Sequence, residues 1–222
     1  MGRSDARGLA VAASRLDNAR RLAAAGDLEG AIIGARGAIA HLAAPEARWK
    51  ALLERFEDPK LLRRWHQEAT ATVHESRDNG ITSVVVDKLR RQLMLYRRGR
   101  LVLNIPVELG TNGLRPKLHS GDHATPEGRY RVVVKKEGHQ TRYYKALLLD
   151  YPNDDDRRRF AAAVRSGLVP RGAGIGGLIE IHGRGGEGRD WTEGCVALSD
   201  EDMDLLYDRV NLGTPVTIVG TL

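Results

Sequence analysis

Residues 82–109, TSVVVDKLRRQLMLYRRGRLVLNIPVEL, contain three short runs in which apolar and polar side chains tend to alternate: TSVVVD, QLMLYR and LVLNIPVEL. A period of two residues is typical of a β-strand that buries one face. The second and third runs are joined through Arg98-Gly99, and glycine readily adopts the positive φ that a tight hairpin turn needs. This stretch therefore predicts a strand followed by a β-hairpin, and it places the start of a β-rich region near residue 80.

The chain downstream of this hairpin predicts further strands and two short helices. The first helix spans residues 154–166 and has acidic residues in its first turn, and the second spans residues 199–210 with Ser199 as its N-cap. Many strands with only two helices predict a mostly β domain, a sandwich or a barrel, over residues 80–222. The predicted strands are RYRVVVKK, KALLLDY, LIEIHG and TPVTIVG.

The chain upstream of residue 80 predicts helices. Its apolar residues recur at steps of three and four, and Gly26-Asp27 ends one helix and caps the next. Pro45 and the pair Asp58-Pro59 are expected to open two more helices. The sequence thus predicts an α+β chain with a helical module of about four helices in residues 1–79. The first hairpin is similar to a tetratricopeptide unit, but no second copy follows, which favours structural support over a partner-binding groove.

Composition limits the classes of protein to which the chain can belong. A chain of 222 residues with 41% hydrophobic side chains can bury a core without disulfides or metals. No apolar run reaches the length of about 20 residues that a membrane-spanning helix needs. The apolar run of residues 8–13 is too short for a signal peptide, so either the protein stays inside the cell or its export signal is encoded upstream.

The net charge of +6 is compatible with a polyanionic partner. However, no aromatic RNA-binding motif, zinc finger or basic heptad accompanies that charge. Nucleic acid is therefore not predicted as a partner.

Two glycine-rich stretches, residues 172–177 and 183–188, match the pattern G-x-G-x-x-G of dinucleotide-binding loops. Such a loop works only where a helix N-terminus follows it and binds the phosphates. The first stretch runs into the predicted strand LIEIHG, and the second runs into RDWTEGC, which has no helical periodicity. The sequence therefore predicts no dinucleotide and no other cofactor.

Metal binding has weak support in the sequence. Only His119 and His123 have the spacing of metal ligands, and they lie in a predicted loop, which favours a surface pair without a metal. Cys195 is the single cysteine, so neither a cysteine zinc cluster nor an intramolecular disulfide is possible.

A third chemistry is thiol nucleophilic catalysis, and it centres on HGRGGEGRDWTEGC, residues 182–195. His182 ends a predicted strand, where it can act as a base for Cys195. The amides of Glu193, Gly194 and Cys195 are consecutive, and Gly194 permits a turn that could direct them together as an oxyanion hole. Free cysteine is also among the most buried residue types, so these residues alone leave packing and catalysis open.

The same stretch resembles the signature of the L,D-transpeptidases, the YkuD or ErfK/YbiS/YcfS/YnhG domain. The pattern of that family is His-Gly, a loop, then Ser or Thr, any residue, Gly-Cys, and it matches HG at 182–183 and TEGC at 192–195. The resemblance covers nearly all of residues 81–220. Its other elements are the hairpin of residues 84–110, GDHATPEGRYRV at 121–132 and KALLLDYPNDDD at 145–156.

The resemblance implies roles for individual residues. Cys195 would be the nucleophile and His182 its base, and the backbone carbonyl of Gly183 would orient the imidazole. The amides of Glu193, Gly194 and Cys195 would hold the oxyanion. Three residues of the loop would bind substrate or support the site, Thr192 by a hydrogen bond: Arg189, Trp191 and Thr192.

One position departs from the family pattern. Many members have arginine two residues after the cysteine, and this chain has Ala197. With its tryptophan and without this arginine, the stretch DWTEGCVAL is more similar to the YafK-like branch. The departure puts in doubt the contact that the family arginine makes, and Trp191 and Ala197 become candidates for selecting the second substrate.

The resemblance also implies a reaction and a location. The cysteine would form a thioester at the L-centre carbonyl of the third-position diaminopimelate of a peptidoglycan stem peptide and expel the terminal D-alanine or another attached group. An amine of a second stem peptide or of an envelope protein would resolve the thioester, or water would, giving a carboxypeptidase or amidase. The remaining alternative is a murein-binding scaffold without catalysis. The location implied is the periplasm or cell envelope, with an export signal encoded upstream.

Overall fold

The computed structural model describes residues 3–222, without the side chains of residues 3–6, 44, 45 and 48. The chain divides into two compact units, Met1–Glu57 and Asp58–Leu222. None of the described helices is both long enough and apolar enough to cross a membrane.

The first unit is a helical hairpin. Helix α1 spans Arg3–Ala24 and helix α2 spans Leu28–Glu54. The side chain of Asp27 accepts a 2.9 Å hydrogen bond from the amide of Gly30, which confirms Asp27 as the cap of the second helix.

The prediction that a separate helix begins at Pro45 was wrong, because α2 continues through that position. A proline inside a helix removes one N–H donor and crowds the preceding turn, at a cost of about 3 kcal/mol. The surrounding Ala, Leu, Glu and Arg residues are strong helix formers, which favours continuation of the helix. The Pro45 side chain lies outside the described residues.

Helix α3, Pro59–Asp78, belongs to the second unit. Asp58 caps it by accepting a 2.7 Å hydrogen bond from the amide of Lys60. Its Trp65 is fully buried and lies so close to Gly220 that a Cβ at Gly220 would collide with the indole. The indole N–H also donates to Glu127. The sequence grouped this helix with the preceding ones, whereas in the structure it packs on the β-sheet.

The second unit contains an eight-stranded mixed sheet with the order β3-β2-β1-β8-β4-β5-β6-β7. Strand β8 is parallel to β1 and antiparallel to β4, and β6 is parallel to β7. The predicted hairpin β2–β3 is confirmed. The strands are Thr82–Asp87 (β1), Gln92–Arg97 (β2), Arg100–Pro106 (β3), Gly128–Glu137 (β4), Lys145–Leu149 (β5), Glu180–His182 (β6), Val196–Ala197 (β7) and Pro215–Val219 (β8).

Both halves of the sheet contribute to one hydrophobic core. Val84 and Val86 of β1 belong to the same buried cluster as Leu147 of β5 and Ile181 of β6. The sheet therefore curls around a shared core. The mostly β domain, predicted as a sandwich or a barrel, is built on this single curled sheet. Val85 points to the opposite face, which α3 covers, so β1 is buried on both sides. The protein is α+β, as predicted.

The remaining helices lie close to their predicted bounds. Helix α4 spans Asp154–Arg165 and helix α5 spans Asp200–Tyr207. The hydroxyl of Ser199 accepts a 3.1 Å hydrogen bond from the amide of Asp202, which confirms the predicted cap. A short 3₁₀ turn spans Gly138–Gln140 between β4 and β5. Strand β7 was not predicted, because two residues are too few to show a period.

Candidate active site

The parallel pairing of β6 and β7 brings the predicted nucleophile and base together. His182 lies beside Ala197 and Ile181 beside Val196, so the same register places Glu180 beside Cys195. The amide of Glu180 lies 3.4 Å from Cys195 Sγ, which supports this register. Alternate residues of a strand share a face, and so do residues that are directly opposite on paired strands. His182 and Cys195 therefore lie on the same face of the sheet.

The imidazole of His182 is held through one ring nitrogen. His182 Nδ1 lies 2.7 Å from the carbonyl oxygen of Gly183, the contact that the sequence predicted, so we assign the proton to Nδ1. Nε2 then carries a lone pair, and it is buried without a hydrogen-bond partner among the described residues. Burial lowers the pKa of His182 below its ordinary value, so the imidazole is neutral at pH 7 and can accept a proton.

Two aromatic rings restrict the orientation of His182. The ring of Tyr143 stacks on the imidazole with a centroid distance of 3.6 Å and an interplanar angle of 9°. Trp191 meets the imidazole edge to face at 5.8 Å and 68°. Arg142 donates a 2.9 Å hydrogen bond to the hydroxyl of Tyr143. The imidazole thus lies in a rigid aromatic setting, as expected for a base that must keep a fixed direction.

Trp191 is anchored by the carboxylate of Glu108. The indole N–H donates a 2.7 Å hydrogen bond to Glu108 Oε2, and the amide of Gly188 donates to Oε1 at 2.6 Å. Glu108 pairs with Ala197 through two backbone hydrogen bonds, so the Glu108 side chain extends from a backbone position directly beside β7.

This arrangement gives a physical account of Ala197 at the position where the family pattern has arginine. Ala197 is fully buried and shares its face of the sheet with His182. A longer side chain at this position would project onto the face where Trp191 contacts His182. The small side chain of Ala197 therefore occupies little of the face on which His182 lies.

The Cys195 thiol is half-buried between two backbone groups. Its sulfur accepts from the amide of Glu180 at 3.4 Å, and its S–H donates to the carbonyl of Leu178 at 3.6 Å. Burial raises the pKa of the thiol to about 11, although the Glu180 amide acts in the opposite direction. Cys195 is therefore a neutral thiol at pH 7.

The loop before Cys195 is braced by Thr192. The Thr192 hydroxyl donates a 2.8 Å hydrogen bond to the carbonyl of Cys195 and accepts a 3.2 Å bond from the amide of Gly194. The sequence grouped the amides of Glu193, Gly194 and Cys195 as oxyanion donors, but the Gly194 amide is already occupied by Thr192. Within residues 3–222, the amides of Glu193 and Cys195 have no hydrogen-bond acceptor. They are the two donors that are available for an oxyanion.

The backbone conformation at position 194 requires glycine. Its φ is +133°, a value that side-chain-bearing residues rarely adopt, and a Cβ there would lie 2.8 Å from the carbonyl oxygen of Ala124. Ala124 belongs to the stretch GDHATPEG, in which Asp122 accepts bonds from the amides of Leu118, His119 and Ala124. The cysteine loop thus packs backbone to backbone against this second loop.

Arg189 lies apart from the contacts around the thiol. Its guanidinium forms an exposed ion pair with Glu187. It lines a groove of about 440 Å³ together with Glu108 and Asp190. Asp190 binds Arg91 and the amide of Leu109, which fixes the start of the DWTEGC segment.

The histidine pair considered for metal binding makes local contacts. His119 Nδ1 lies 2.7 Å from the carbonyl of Ser120, and His123 has a positive φ of 54°. Among the residues that the structure describes, no group of three or more His, Cys, Asp or Glu side chains could hold a metal ion.

Glu108 and Tyr143 were not predicted as site residues. Glu108 is a lone acid at the end of an apolar run, and Tyr143 lies in the irregular segment between the 3₁₀ turn and β5. Neither stands in a motif, so no local signal could have assigned them to the site; only the folded chain brings them to His182 and Trp191.

Comparison with known proteins identifies the family of the chain. The family model of the L,D-transpeptidase catalytic domain, YkuD, matches residues 81–218. The chain belongs to the L,D-transpeptidase family. The matched residues include all eight strands except the end of β8, and both His182 and Cys195.

Individual relatives are more distant. The chain is 30% identical over 101 residues to YafK of Escherichia coli strain K12, whose name assigns it provisionally to the L,D-transpeptidases, and the match covers 45% of this chain. It spans 33% of the length of YafK. Among solved structures, Bd1075 of Bdellovibrio bacteriovorus has a TM-score of 0.47 and 24% identity over 63% of this chain and 48% of that chain. An L,D-transpeptidase of Mycobacterium smegmatis has a TM-score of 0.41 and 16% identity over 62% and 58% of the two chains.

Proposed function

We propose that the protein is an acyltransferase of the cell envelope that forms a thioester between Cys195 and the third-position diaminopimelate of a peptidoglycan stem peptide. The observation that carries this proposal is the placement of His182 and Cys195 on one face of two paired strands, with His182 Nε2 buried and unpartnered. Membership of the L,D-transpeptidase family supports the choice of substrate and of compartment.

The first half of the reaction starts from two neutral groups. Because burial raises the pKa of Cys195 and lowers that of His182, a preformed thiolate–imidazolium pair is disfavoured. His182 Nε2 accepts the thiol proton as Sγ attacks the L-centre carbonyl carbon. The C–N bond to the terminal D-alanine then breaks, and the protonated Nε2 returns the proton to the leaving amine. The hydrogen bond from Nδ1 to the Gly183 carbonyl stabilises the transient imidazolium.

The carbonyl oxygen gains negative charge when Sγ attacks. The free amides of Glu193 and Cys195 stabilise that charge as hydrogen-bond donors, and the Thr192 bridge keeps the loop in place. Gly194 shapes the loop but does not donate to the oxyanion, because its own amide donates to the Thr192 hydroxyl.

The second half releases the acyl group. His182 Nε2 removes a proton from an attacking amine or from water, a C–N or C–O bond forms, and the C–S bond to Cys195 breaks. The proton on Nε2 then passes to the departing sulfur, which restores the neutral thiol and the neutral imidazole. An amine from a second stem peptide or an envelope protein gives a cross-link or attachment, and water gives hydrolysis. Both outcomes use the same residues, and the nature of the second substrate distinguishes them.

Mass spectrometry of the intact protein tests the thioester. The wild type is incubated with disaccharide-tetrapeptide or with a carbapenem, whose strained lactam acylates nucleophilic thiols. We expect an adduct on the wild type, none on Cys195→Ala, and slow adduct formation on His182→Ala. His74→Ala, an exposed histidine on α3, is the matched control and should react like the wild type.

The absence of any adduct on a folded wild type would contradict the proposal. Binding to isolated murein without an adduct would instead favour a scaffold. Analysis of the products from the tetrapeptide incubation separates the two enzymatic outcomes, since dimers indicate transfer to an amine and tripeptides indicate hydrolysis.

A further inference from the structure

The two faces of helix α2 have opposite character. The face that packs on α1 is made of small residues: Ala38 and Ala19 are both buried, and a Cβ on Gly34 would lie 3.1 Å from Ala19 Cβ. The two helices thus approach each other closely through glycine and alanine. Most of the large apolar side chains of α2 are instead exposed.

Six of these exposed side chains form a regular row, which we call the outer stripe. It starts at Leu28 and recurs at alternating steps of four and three residues up to Leu53. Its large members are between 36% and 67% exposed, and they are Leu28, Ile32, Ile39, Leu42, Trp49 and Leu53. The two remaining positions of the stripe are Ala35 and Glu46.

The step pattern of the outer stripe corresponds to a repeat of 3.5 residues, the repeat of a left-handed coiled coil. The stripe runs about 38 Å along the helix at a rise of about 1.5 Å per residue. Scattered exposed apolar residues are normal on protein surfaces, but a continuous seam of this length marks an interaction site. The sequence placed Leu28, Ile32, Ile39 and Leu42 on the apolar stripe of the second helix, and Trp49 and Leu53 on that of a separate third helix. In the structure all six lie on the single helix α2 and are exposed.

We propose that the outer stripe binds the outer stripe of a second copy of this chain as an antiparallel coiled coil. With a two-fold axis between residues 40 and 41, every stripe residue of one copy lies opposite a stripe residue of the other copy. Leu28 packs against Leu53 of the second copy, and Ile32 against Trp49. Two hairpins joined in this way make a four-helix assembly, an arrangement in which every helix has neighbours on its apolar faces.

Charge selects the antiparallel orientation. Glu46 is the single charged residue of the stripe. A parallel, in-register dimer would bring two Glu46 carboxylates together at the seam, which is destabilising where water is excluded. In the antiparallel register Glu46 lies opposite the small Ala35 and next to Arg36 of the second copy. Glu29 lies on the same side of the seam as Lys50 of the second copy.

The oligomeric state of the full chain tests this proposal. We expect sedimentation equilibrium to show a dimer for the wild type, and we expect Ile32→Glu to raise the dissociation constant at least about 100-fold, since a carboxylate would be buried in the seam. Ile33→Glu is the matched control, because Ile33 is also exposed on the same helix but lies off the stripe, and it should remain dimeric. Circular dichroism shows whether each variant keeps its helices.

Disulfide trapping tests the orientation in a Cys195→Ala background. A mixture of Leu28→Cys and Leu53→Cys chains should form a disulfide-linked dimer, and Leu28→Cys alone should not. Charge reversal adds a second test: Arg36→Glu should weaken the dimer and Glu46→Arg in the same chain should restore it. A monomeric wild type, equal weakening by Ile32→Glu and Ile33→Glu, or disulfide formation by Leu28→Cys alone would overturn the proposal.

Discussion

The indole N–H of Trp191 donates a 2.7 Å hydrogen bond to Glu108, a residue 83 positions earlier in the chain. The same indole meets the imidazole of His182 edge to face. The Glu108 carboxylate, from the segment that pairs with Ala197, therefore fixes the ring that limits how His182 can turn.

Loss of that hydrogen bond should slow the reaction without weakening substrate binding. We expect Trp191→Phe, which keeps an aromatic edge but lacks the N–H, to lower kcat by about 10- to 100-fold through misplacement of the base. KM and the thermal unfolding temperature should change little. Glu187→Gln, an exposed carboxylate of the same loop, is the control and should retain wild-type kcat. An unchanged kcat for Trp191→Phe would show that Trp191 does not position the base.

The alkylation rate of Cys195 should report its burial. Because burial penalises the thiolate, the pKa of the thiol is raised to about 11, and the rate with iodoacetamide should still be rising at pH 10. The same protein in urea is the reference, and its profile should level off above the ordinary thiol pKa of about 8.5. A folded-state profile that levels off near neutral pH would instead indicate a stabilised thiolate.

Substitution of Gly194 should disturb the site. A methyl group there would contact the Ala124 carbonyl at 2.8 Å on a backbone with φ of +133°, so Gly194→Ala should shift the cysteine loop. We expect acylation of Cys195 to fall by at least about 100-fold and the free energy of unfolding to fall by about 1–3 kcal/mol. Gly177→Ala, where a Cβ meets open space, should have neither effect. Carbapenem labelling and urea denaturation measure the two quantities.

We propose that the catalytic domain begins at Asp58, and two fragments test this boundary. Residues 58–222 keep the Trp65 side chain that packs on Gly220 and donates to Glu127, so this fragment should unfold cooperatively and form the Cys195 adduct. Residues 80–222 lack α3 and expose the face of β1 that carries Val85. That shorter fragment should aggregate or lack a cooperative transition, and a stable, reactive fragment of residues 80–222 would contradict the boundary.

The bounds of most strands could be predicted from the sequence because the period of two residues is a local property. TSVVVD and QLMLYR correspond to β1 and β2 residue for residue. The place of α3 could not be predicted in the same way. Its helical period is local, but whether Trp65 packs on helices or on a sheet depends on Gly220, which lies at the other end of the chain.

The sequence by itself determined the strand pattern, the helix caps and the residue types of the site, including Cys195 and His182. These features depend on near neighbours in the chain and on motifs of a few residues. Only the tertiary structure decided that Glu108 holds Trp191, that the Gly194 amide is occupied by Thr192, and that most large apolar residues of α2 are exposed. The physical reason is that such contacts depend on which side chains the fold brings within hydrogen-bonding or packing distance, and no local period encodes that distance.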